Sequence, residues 1–248
     1  LLVNTSLVVS LPATYEEFVV DAGLRGLGLD FGNFYFTYAW FKGAGAELSG
    51  RDGEPWFDAD AALLGARSLQ DLRFVHRALG PGSDYLSAHA SFRLGEVAYM
   101  FDGPWAVAAY FEAGVPLTVM PLPELLPGVP FSGFMTVTGV LVTDEARDRT
   151  VAANVAKWLV RSDAQLQLAR QAGRIPASIR AADSLDDDLL HGFGLALRHA
   201  DAVPVGPLMA ASWQPLGRLL QELDESYLSD DQLRELLANT ADQITAVP

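Results

Sequence analysis

The sequence lacks several features that would assign a protein to a class at once. It contains no cysteine in 248 residues, which excludes disulfides, thiolate metal sites and cysteine nucleophiles. No apolar run reaches the roughly 18 residues that a membrane-spanning helix needs. The opening LLVN carries no start methionine and no basic region. We therefore predict no signal peptide and expect the chain to be a processed or excised piece of a longer one.

Positive charge is scarce as well. Lysine and arginine number 17 against 31 aspartates and glutamates, and the formal net charge is −14. A nucleic-acid partner requires a basic face, because contacts to the phosphate backbone dominate such binding. We therefore expect no nucleic-acid partner.

The common motifs of catalysis and cofactor binding are also missing. The chain has no G-x-x-x-x-G-K-[ST], no H-E-x-x-H and no G-x-S-x-G. The glycines of GLGLDFG (26–32) have the wrong spacing for a dinucleotide fingerprint. The four histidines do not pair at ligand spacings; they are His76, His89, His191 and His199. We predict no metal and no cofactor.

Helical and strand-like segments alternate along the chain, which is the pattern of an α/β protein. The predicted strands are LLVN, 97–102, 115–122 and 134–142. Helices are predicted to begin at Thr14, Asp60, Asp144, Ser162, Pro207 and Ser229, from capping residues, apolar periodicity and first-turn proline. The helix from Asp60 is expected to reach Leu79, and the glycine-rich residues 43–56 are expected to form a loop.

Aromatic residues stand beside turn signals at four separate places. FGNFYFTYAW (31–40) contains Asn33 and Tyr35, GSDYLS contains Tyr85, FDGPW ends in Trp105, and GPLMAASW ends in Trp213. A sugar ring has an apolar face that a flat aromatic ring can cover, and a rim of hydroxyls that polar groups can bind. The rigid Gly-Pro before Trp105 would hold the indole without an ordering cost at binding.

Other aromatic residues are expected to belong to the hydrophobic core. These are Phe31, Phe34, Phe36 and Trp40, and also Trp158, which shares a helical stripe with Val151, Val155 and Leu159. Trp56, in a polar stretch, is left undecided between a site and a packing role.

An enzyme remains an alternative from the residues alone. Asp102 or Glu96 could serve a glycoside hydrolase, which needs two carboxyl groups across the sugar bond. An aspartate before Gly-Pro is more often a turn former, and Glu96 falls between a helix and a strand. A purely structural fragment with all its aromatics in the core is a third alternative.

Several segments resemble one family in its own order. FRLGEVAYMFDGPWAVAAYF (92–111) is similar to the signature region of solute-binding proteins of ABC sugar importers, in particular the maltose and maltodextrin-binding group. NFYFTYAW, GRIPAS and VPVGPLMAASW are similar to further segments of it. The resemblance implies an α/β, periplasmic-binding-protein-like fold of class II and non-catalytic binding of a maltodextrin-like oligosaccharide.

By position, the resemblance implies sugar contacts from four aromatic residues: Tyr35, Tyr85, Trp105 and Trp213. Asn33 falls where the family often has a carboxylate, which leaves a sugar other than maltose as an alternative. The family's partner is a membrane permease, and its members lie outside the cytoplasm, in the periplasm or lipid-anchored at the cell surface.

The resemblance also implies a division into lobes. Residues 5–130 and 179–248 correspond to the second lobe, and residues 1–4 and 131–178 to hinge strands and a strand-helix-helix part of the first lobe. Most of the first lobe has no counterpart here. We therefore expect the stripe around Trp158 to need a companion chain or a swapped copy to cover it, and the chain alone to bind sugar weakly.

Overall fold

The structure of the protein, a computed structural model, describes residues 1–46 and 59–246. The strands are β1 (Leu2–Asn4), β2 (Leu27–Gly28), β3 (Tyr99–Met100), β4 (Leu117–Val119), β5 (Phe134–Met135) and β6 (Asp201–Ala202). The α-helices are α1 (Tyr15–Arg25), α2 (Phe34–Gly43), α3 (Ala59–Gln70), α4 (Tyr85–Arg93), α5 (Val107–Glu112), α6 (Arg149–Leu159), α7 (Ser162–Ala172), α8 (Ile179–Asp183), α9 (Asp188–Leu197), α10 (Pro207–Glu225) and α11 (Asp230–Thr245). A π-helical turn, Asp71–Val75, extends α3, and a 3₁₀ turn, Pro104–Ala106, precedes α5. Trp56 and residues 47–56 of the predicted loop lie outside the described residues.

Three predicted helix starts are confirmed, two of them by capping contacts. The Thr14 hydroxyl accepts a hydrogen bond from the backbone N–H of Glu17 at the start of α1. Pro207 is the first residue of α10, where its missing N–H costs nothing. Ser229 and Gln232 form a reciprocal capping box at the start of α11.

The capping box predicted at Ser162 is wrong. Arg161 occupies the N-cap position and Ser162 is already helical. The Ser162 hydroxyl pairs with the Ser178 hydroxyl at 2.7 Å, and the Gln165 amide bonds the Ser178 N–H at 2.9 Å. These side chains therefore join α7 to the start of α8.

Three further boundaries differ from the prediction. The helix expected from Asp144 begins at Arg149, where the Asp148 side chain caps it. The helix expected to reach Leu79 ends at Val75, because the chain turns at Arg77, whose φ is +57°. The strand expected over 134–142 keeps only Phe134–Met135. Val137 and Leu141, in the part that is not a strand, are 73% and 89% exposed, so no layer formed by the described residues covers that segment.

The main sheet has the strand order β2-β3-β1-β4. β2 and β3 run parallel, with Leu27 opposite Tyr99 and Gly28 opposite Met100. β1 is antiparallel to both β3 and β4. A separate parallel pair joins β5 to β6. The carboxyl ends of β2 and β3 consequently meet at one edge of the sheet, which is where α/β sheets commonly bind ligands.

Aromatic and aliphatic side chains form the core between the sheet and α1, α2, α3, α10 and α11. The expectation that four aromatic residues of the 31–40 stretch are core is confirmed: Phe31, Phe34, Phe36 and Trp40 are all at most 8% exposed. Their burial fixes α2 against α3 and α10 and so sets the direction in which the rest of α2 faces.

Trp158 is not a core residue, contrary to the prediction from its helical stripe. The indole is 56% exposed, and its stripe neighbours Val151 and Val155 are 57% and 52% exposed. The stripe is present on α6, but none of the described residues covers it. Helical periodicity indicates which face is apolar and does not supply the partner that buries it.

Replacing Ser229 with alanine should lower the free energy of unfolding by about 1 kcal/mol, the usual cost of losing a helix N-cap. The hydroxyl accepts the Gln232 N–H at the start of α11, a helix whose Leu233 and Leu237 are buried. Urea denaturation measures the change. Ser226→Ala is the control, because that exposed side chain forms no hydrogen bond with a described residue. Equal stability of the two variants would contradict the capping role.

Candidate ligand-binding site

Three chain segments meet beyond the carboxyl ends of β2 and β3. The chain leaves β2 through residues 29–32 to enter α2, and it leaves β3 through Asp102 to enter the 3₁₀ turn. The segment before α4 joins them, because the Phe31 N–H donates to the Ser83 carbonyl at 3.0 Å and the Ser83 hydroxyl donates to the Leu29 carbonyl at 2.7 Å. This is why residues far apart in sequence become neighbours.

Tyr35, Tyr85 and Trp105 lie together at this edge. The Tyr35 and Trp105 ring centroids are 6.4 Å apart. The Trp105 indole N–H donates to the Tyr85 hydroxyl at 3.2 Å. Behind them, Phe36 stacks on Tyr85 with centroids 5.6 Å apart and ring planes 27° apart. The arrangement is a set of supported aromatic rings of which Trp105, at 42% exposed, is the most open to solvent.

The Gly-Pro turn after β3 explains how Trp105 is presented. A Cβ atom on Gly103 would lie 2.1 Å from Cζ3 of Trp105, so the indole folds back over the glycine. The Gly103 backbone is extended, with φ −109° and ψ 175°, so this contact with the ring is what calls for glycine. Pro104 then opens the 3₁₀ turn at its first position.

Asn33 is used mainly within its own loop. Its Oδ1 accepts the Tyr35 N–H at 3.1 Å and so caps α2, and its Nδ2 donates to Oδ2 of Asp30 at 3.1 Å. Burial raises the pKa of Asp30, against the opposing effect of the bond from Asn33. One amide hydrogen of Asn33 remains for a further acceptor.

Asp102 lies below the rings and is tightly held. Its Oδ2 accepts the Tyr110 hydroxyl at 2.7 Å, and its Oδ1 accepts the Gly103 N–H at 2.8 Å. Burial raises the pKa of Asp102, and the Tyr110 bond opposes that shift. Glu96, the other candidate carboxylate, has an exposed side chain before β3, at the opposite end of the strand from Asp102.

Trp213 stands apart from this cluster. It lies on α10, which packs against α2, and the side chain is 37% exposed. Within residues 1–46 and 59–246, no ring contact or hydrogen bond joins it to Tyr35, Tyr85 or Trp105. Its expected part in the site stays a prediction.

Sequence reasoning did not identify two residues that shape the site. Tyr110 lies on the buried side of α5 and packs edge-on against Phe92, with centroids 4.8 Å apart. Phe134, at the start of β5, lies 5.9 Å from the Tyr35 ring. Tyr110 could have been suspected as the one hydroxyl-bearing side chain of α5, the helix that follows the turn. Phe134 gave no signal beyond a strand pattern.

The described residues contain no group of three histidine, aspartate or glutamate side chains arranged to hold a metal ion. In the same part of the chain, none of the helices has the length and apolar character that crossing a membrane requires.

The chain is similar to sugar-binding proteins along most of its length. It is 24% identical over 238 residues to the maltotriose-binding protein of Pyrococcus abyssi, which covers 89% of this chain and 51% of that protein. It is also 24% identical over 252 residues to the galactooligosaccharide-binding protein of Bacillus subtilis, covering 93% of this chain and 59% of that protein. The chain thus spans about half the length of the curated relatives it matches.

A solved structure gives the fold directly. The Thermus thermophilus maltotriose-binding protein, bound with maltotriose, superposes with a TM-score of 0.85 at 28% identity, over 100% of this chain and 69% of that one. The predicted α/β, periplasmic-binding-protein-like fold class is thereby confirmed.

The family model described as "Bacterial extracellular solute-binding protein" matches residues 1–189. Such proteins bind a solute for an importer and do not convert it. The chain therefore belongs to the bacterial extracellular solute-binding proteins and, as predicted, is not an enzyme.

Proposed function

We propose that this chain forms the sugar-binding part of a solute-binding protein that delivers a maltodextrin-like oligosaccharide to an ABC importer. The observation that carries the proposal is the meeting of Tyr35, Tyr85 and Trp105 at the carboxyl edge of the sheet, with Trp105 open to solvent. One of the two relatives and the solved structure that resemble the chain are maltotriose-binding proteins by name.

The chemistry of the cluster suits a pyranose. An exposed indole can cover the apolar C–H face of the ring, and the neighbouring hydroxyls can bind the polar rim. The Tyr35 hydroxyl forms no hydrogen bond with the described residues and is free to bind a ligand. We infer that Tyr35, Tyr85, Trp105 and Trp213 contact the sugar and that Asn33 contributes its remaining amide hydrogen.

The proposed division of the chain follows the lobes of the family. Residues 5–130 and 179–248 would form the second lobe, and residues 1–4 and 131–178 hinge strands and part of the first lobe. The exposed stripe of α6 supports this division, because Trp158 is 56% exposed within 131–178. A first-lobe segment, a companion chain or a swapped copy would cover it.

The remaining partners are proposed for the whole protein. A membrane permease would receive the sugar, and the protein would work outside the cytoplasm, in the periplasm or as a lipid-anchored protein at the cell surface. The family description as extracellular supports that location.

A sugar other than a maltodextrin is a second candidate ligand. Asn33 supplies a neutral amide where the resemblance leads one to expect a carboxylate, and its oxygen is already used to cap α2. One relative is a galactooligosaccharide-binding protein. The polar contacts around Asn33 would decide between the two sugars.

Titration of the chain with maltotriose, followed by backbone amide NMR, tests the proposal. We expect saturable shifts at Gly103 and Tyr85 with a dissociation constant of about 1 mM, which corresponds to about 4 kcal/mol of binding free energy. The affinity is weak because a single lobe excludes little water and offers only part of the contacts.

The controls separate the candidates. A galactooligosaccharide of the same length should bind more weakly than maltotriose, and sorbitol should leave the amide spectrum unchanged. Tighter binding of the galactooligosaccharide would make it, and not a maltodextrin, the favoured ligand. The absence of saturable shifts with either sugar at tens of millimolar would refute sugar binding by this chain.

A further inference from the structure

A chain of hydrogen bonds lies behind the exposed indole and ends on Asp102. The Trp105 N–H donates to the Tyr85 hydroxyl at 3.2 Å, and Oη of Tyr85 lies 3.4 Å from Oδ2 of Asp102. The same carboxylate accepts the Tyr110 hydroxyl at 2.7 Å and the Gly103 N–H at 2.8 Å. Tyr110 and Gly103 therefore hold the carboxylate in place, and Tyr85 connects it to the exposed Trp105 ring.

The donors and acceptors in this chain leave only one direction for the protons. An ionised carboxylate can only accept, so Tyr85 is the donor in its 3.4 Å contact with Asp102. An indole N–H can only donate, so Trp105 uses one of the two lone pairs on the Tyr85 oxygen. What Tyr85 can still offer to a ligand is its second lone pair, which is an acceptor.

The unequal lengths show which bonds hold the carboxylate. Tyr110 is fully buried between α4 and α5, and its bond to Asp102 is short. The 3.4 Å separation at Tyr85 is long for O–H···O, so Asp102 orients this hydroxyl and does not clamp it. Burial and the negative charge of Asp102 together raise the pKa of Tyr85, which keeps the phenol protonated.

Other ionisable groups also face this cluster. The His89 ring lies 5.7 Å from the Tyr85 ring and 4.7 Å from the Tyr110 ring, between centroids. Asp30 interacts with Tyr85 through its charge. Among the ionisable groups of residues 1–46 and 59–246, however, only Asp102 is within hydrogen-bond distance of the hydroxyl that receives the indole N–H.

We propose that Asp102 is a positioning residue of the candidate site. It directs the Tyr85 proton away from the ligand, makes Tyr85 an acceptor for a donating sugar hydroxyl, and through Tyr85 fixes the orientation of the Trp105 indole. The part of this inference that concerns a sugar ligand rests on the proposed function. The part that concerns the orientation of Trp105 is independent of the ligand.

The first test needs no ligand. In proton–nitrogen NMR of the chain, the indole N–H signal of Trp105, assigned with Trp105→Phe, reports its hydrogen bond to Tyr85. We expect Asp102→Asn and Tyr85→Phe each to shift this signal, because the amide of asparagine can donate to the Tyr85 oxygen and compete with the indole. The indole signals of Trp40 and Trp158 should not move, which controls for a general change of structure.

A second variant keeps the inference testable if Asp102→Asn does not fold. Tyr110→Phe leaves the charge of Asp102 in place and removes its short anchoring bond, so we expect a smaller shift of the Trp105 signal in the same sense. An unchanged Trp105 signal in both Asp102→Asn and Tyr110→Phe would overturn the inference.

The second test measures binding of maltotriose in a double-mutant cycle. Asp102→Asn should weaken binding about threefold to tenfold, the usual effect of one hydrogen bond, and should have no further effect in a Tyr85→Phe background. An equal loss in both backgrounds would show that Asp102 does not act through Tyr85. If the unmodified chain binds no sugar, the proposed function fails, and the indole signals still decide the role of Asp102.

Discussion

Replacing Trp105 with alanine should lower the affinity for maltotriose about 30-fold, equivalent to about 2 kcal/mol. The indole is the most exposed ring of the cluster, and stacking on a sugar would remove tens of Å² of apolar surface from water on each partner. The Tyr35 ring and the Tyr85 hydroxyl already hold the indole in place, so binding orders little that was mobile before. Amide NMR titration at Gly103 measures the change.

The matched control for this variant is Trp158→Ala. Both indoles are about equally exposed, at 42% and 56%, but Trp158 lies on α6 among exposed aliphatic side chains. It should leave the affinity within about twofold of that of the unmodified chain, a difference below 0.5 kcal/mol. A comparable loss in both variants would mean that tryptophan surface in general, and not this cluster, attracts the sugar.

The helix starts could be predicted because a cap is a bond between near neighbours. Ser229 and Gln232 satisfy each other within one turn, so the four-residue pattern contains nearly all the information. The same pattern at Ser162 failed because a residue distant in sequence, Ser178, offered its hydroxyl and N–H to the two side chains. A tertiary contact of similar strength is enough to override a local one.

Burial was predictable only where the partner surface belongs to the described chain. Trp40 and Phe34 were correctly expected in the core, since α3 and α10 pack on α2. Trp158 and the segment after Met135 show equally apolar patterns and are exposed. A periodic pattern indicates that a face is apolar, but it does not show which surface, if any, covers that face.

The candidate site could be predicted as a set of residue types and not as a geometry. The aromatic residues beside turns, together with the family resemblance, indicated Tyr35, Tyr85 and Trp105, which the structure brings together. The bond from Tyr110 to Asp102 could not be predicted, because it depends on how α5 packs on α4. Directional polar contacts between distant elements depend on the finished fold, whereas aromatic composition is visible in the sequence.

Gly103→Ala should lower maltotriose affinity about tenfold, equivalent to about 1.4 kcal/mol, while leaving stability nearly unchanged. The new Cβ would lie 2.1 Å from the Trp105 ring, so the indole must rotate away from its place between Tyr35 and Tyr85. The backbone at residue 103 is extended and accepts alanine without strain. The clash therefore displaces the Trp105 ring and leaves the free energy of unfolding nearly unchanged. Amide NMR titration and urea denaturation measure the two effects.

Gly194→Ala on α9 is the control, since its Cβ would meet no described atom within 4 Å apart from the neighbouring backbone of its own helix; affinity should be unchanged. A double variant gives the sharper result. If Gly103 acts only by seating the indole, then Gly103→Ala should weaken binding no further in a chain that already carries Trp105→Ala. A second, additive loss of affinity would show that the Gly103 backbone itself contacts the ligand. Gly103 would then act directly in binding and not only by leaving room for the Trp105 indole.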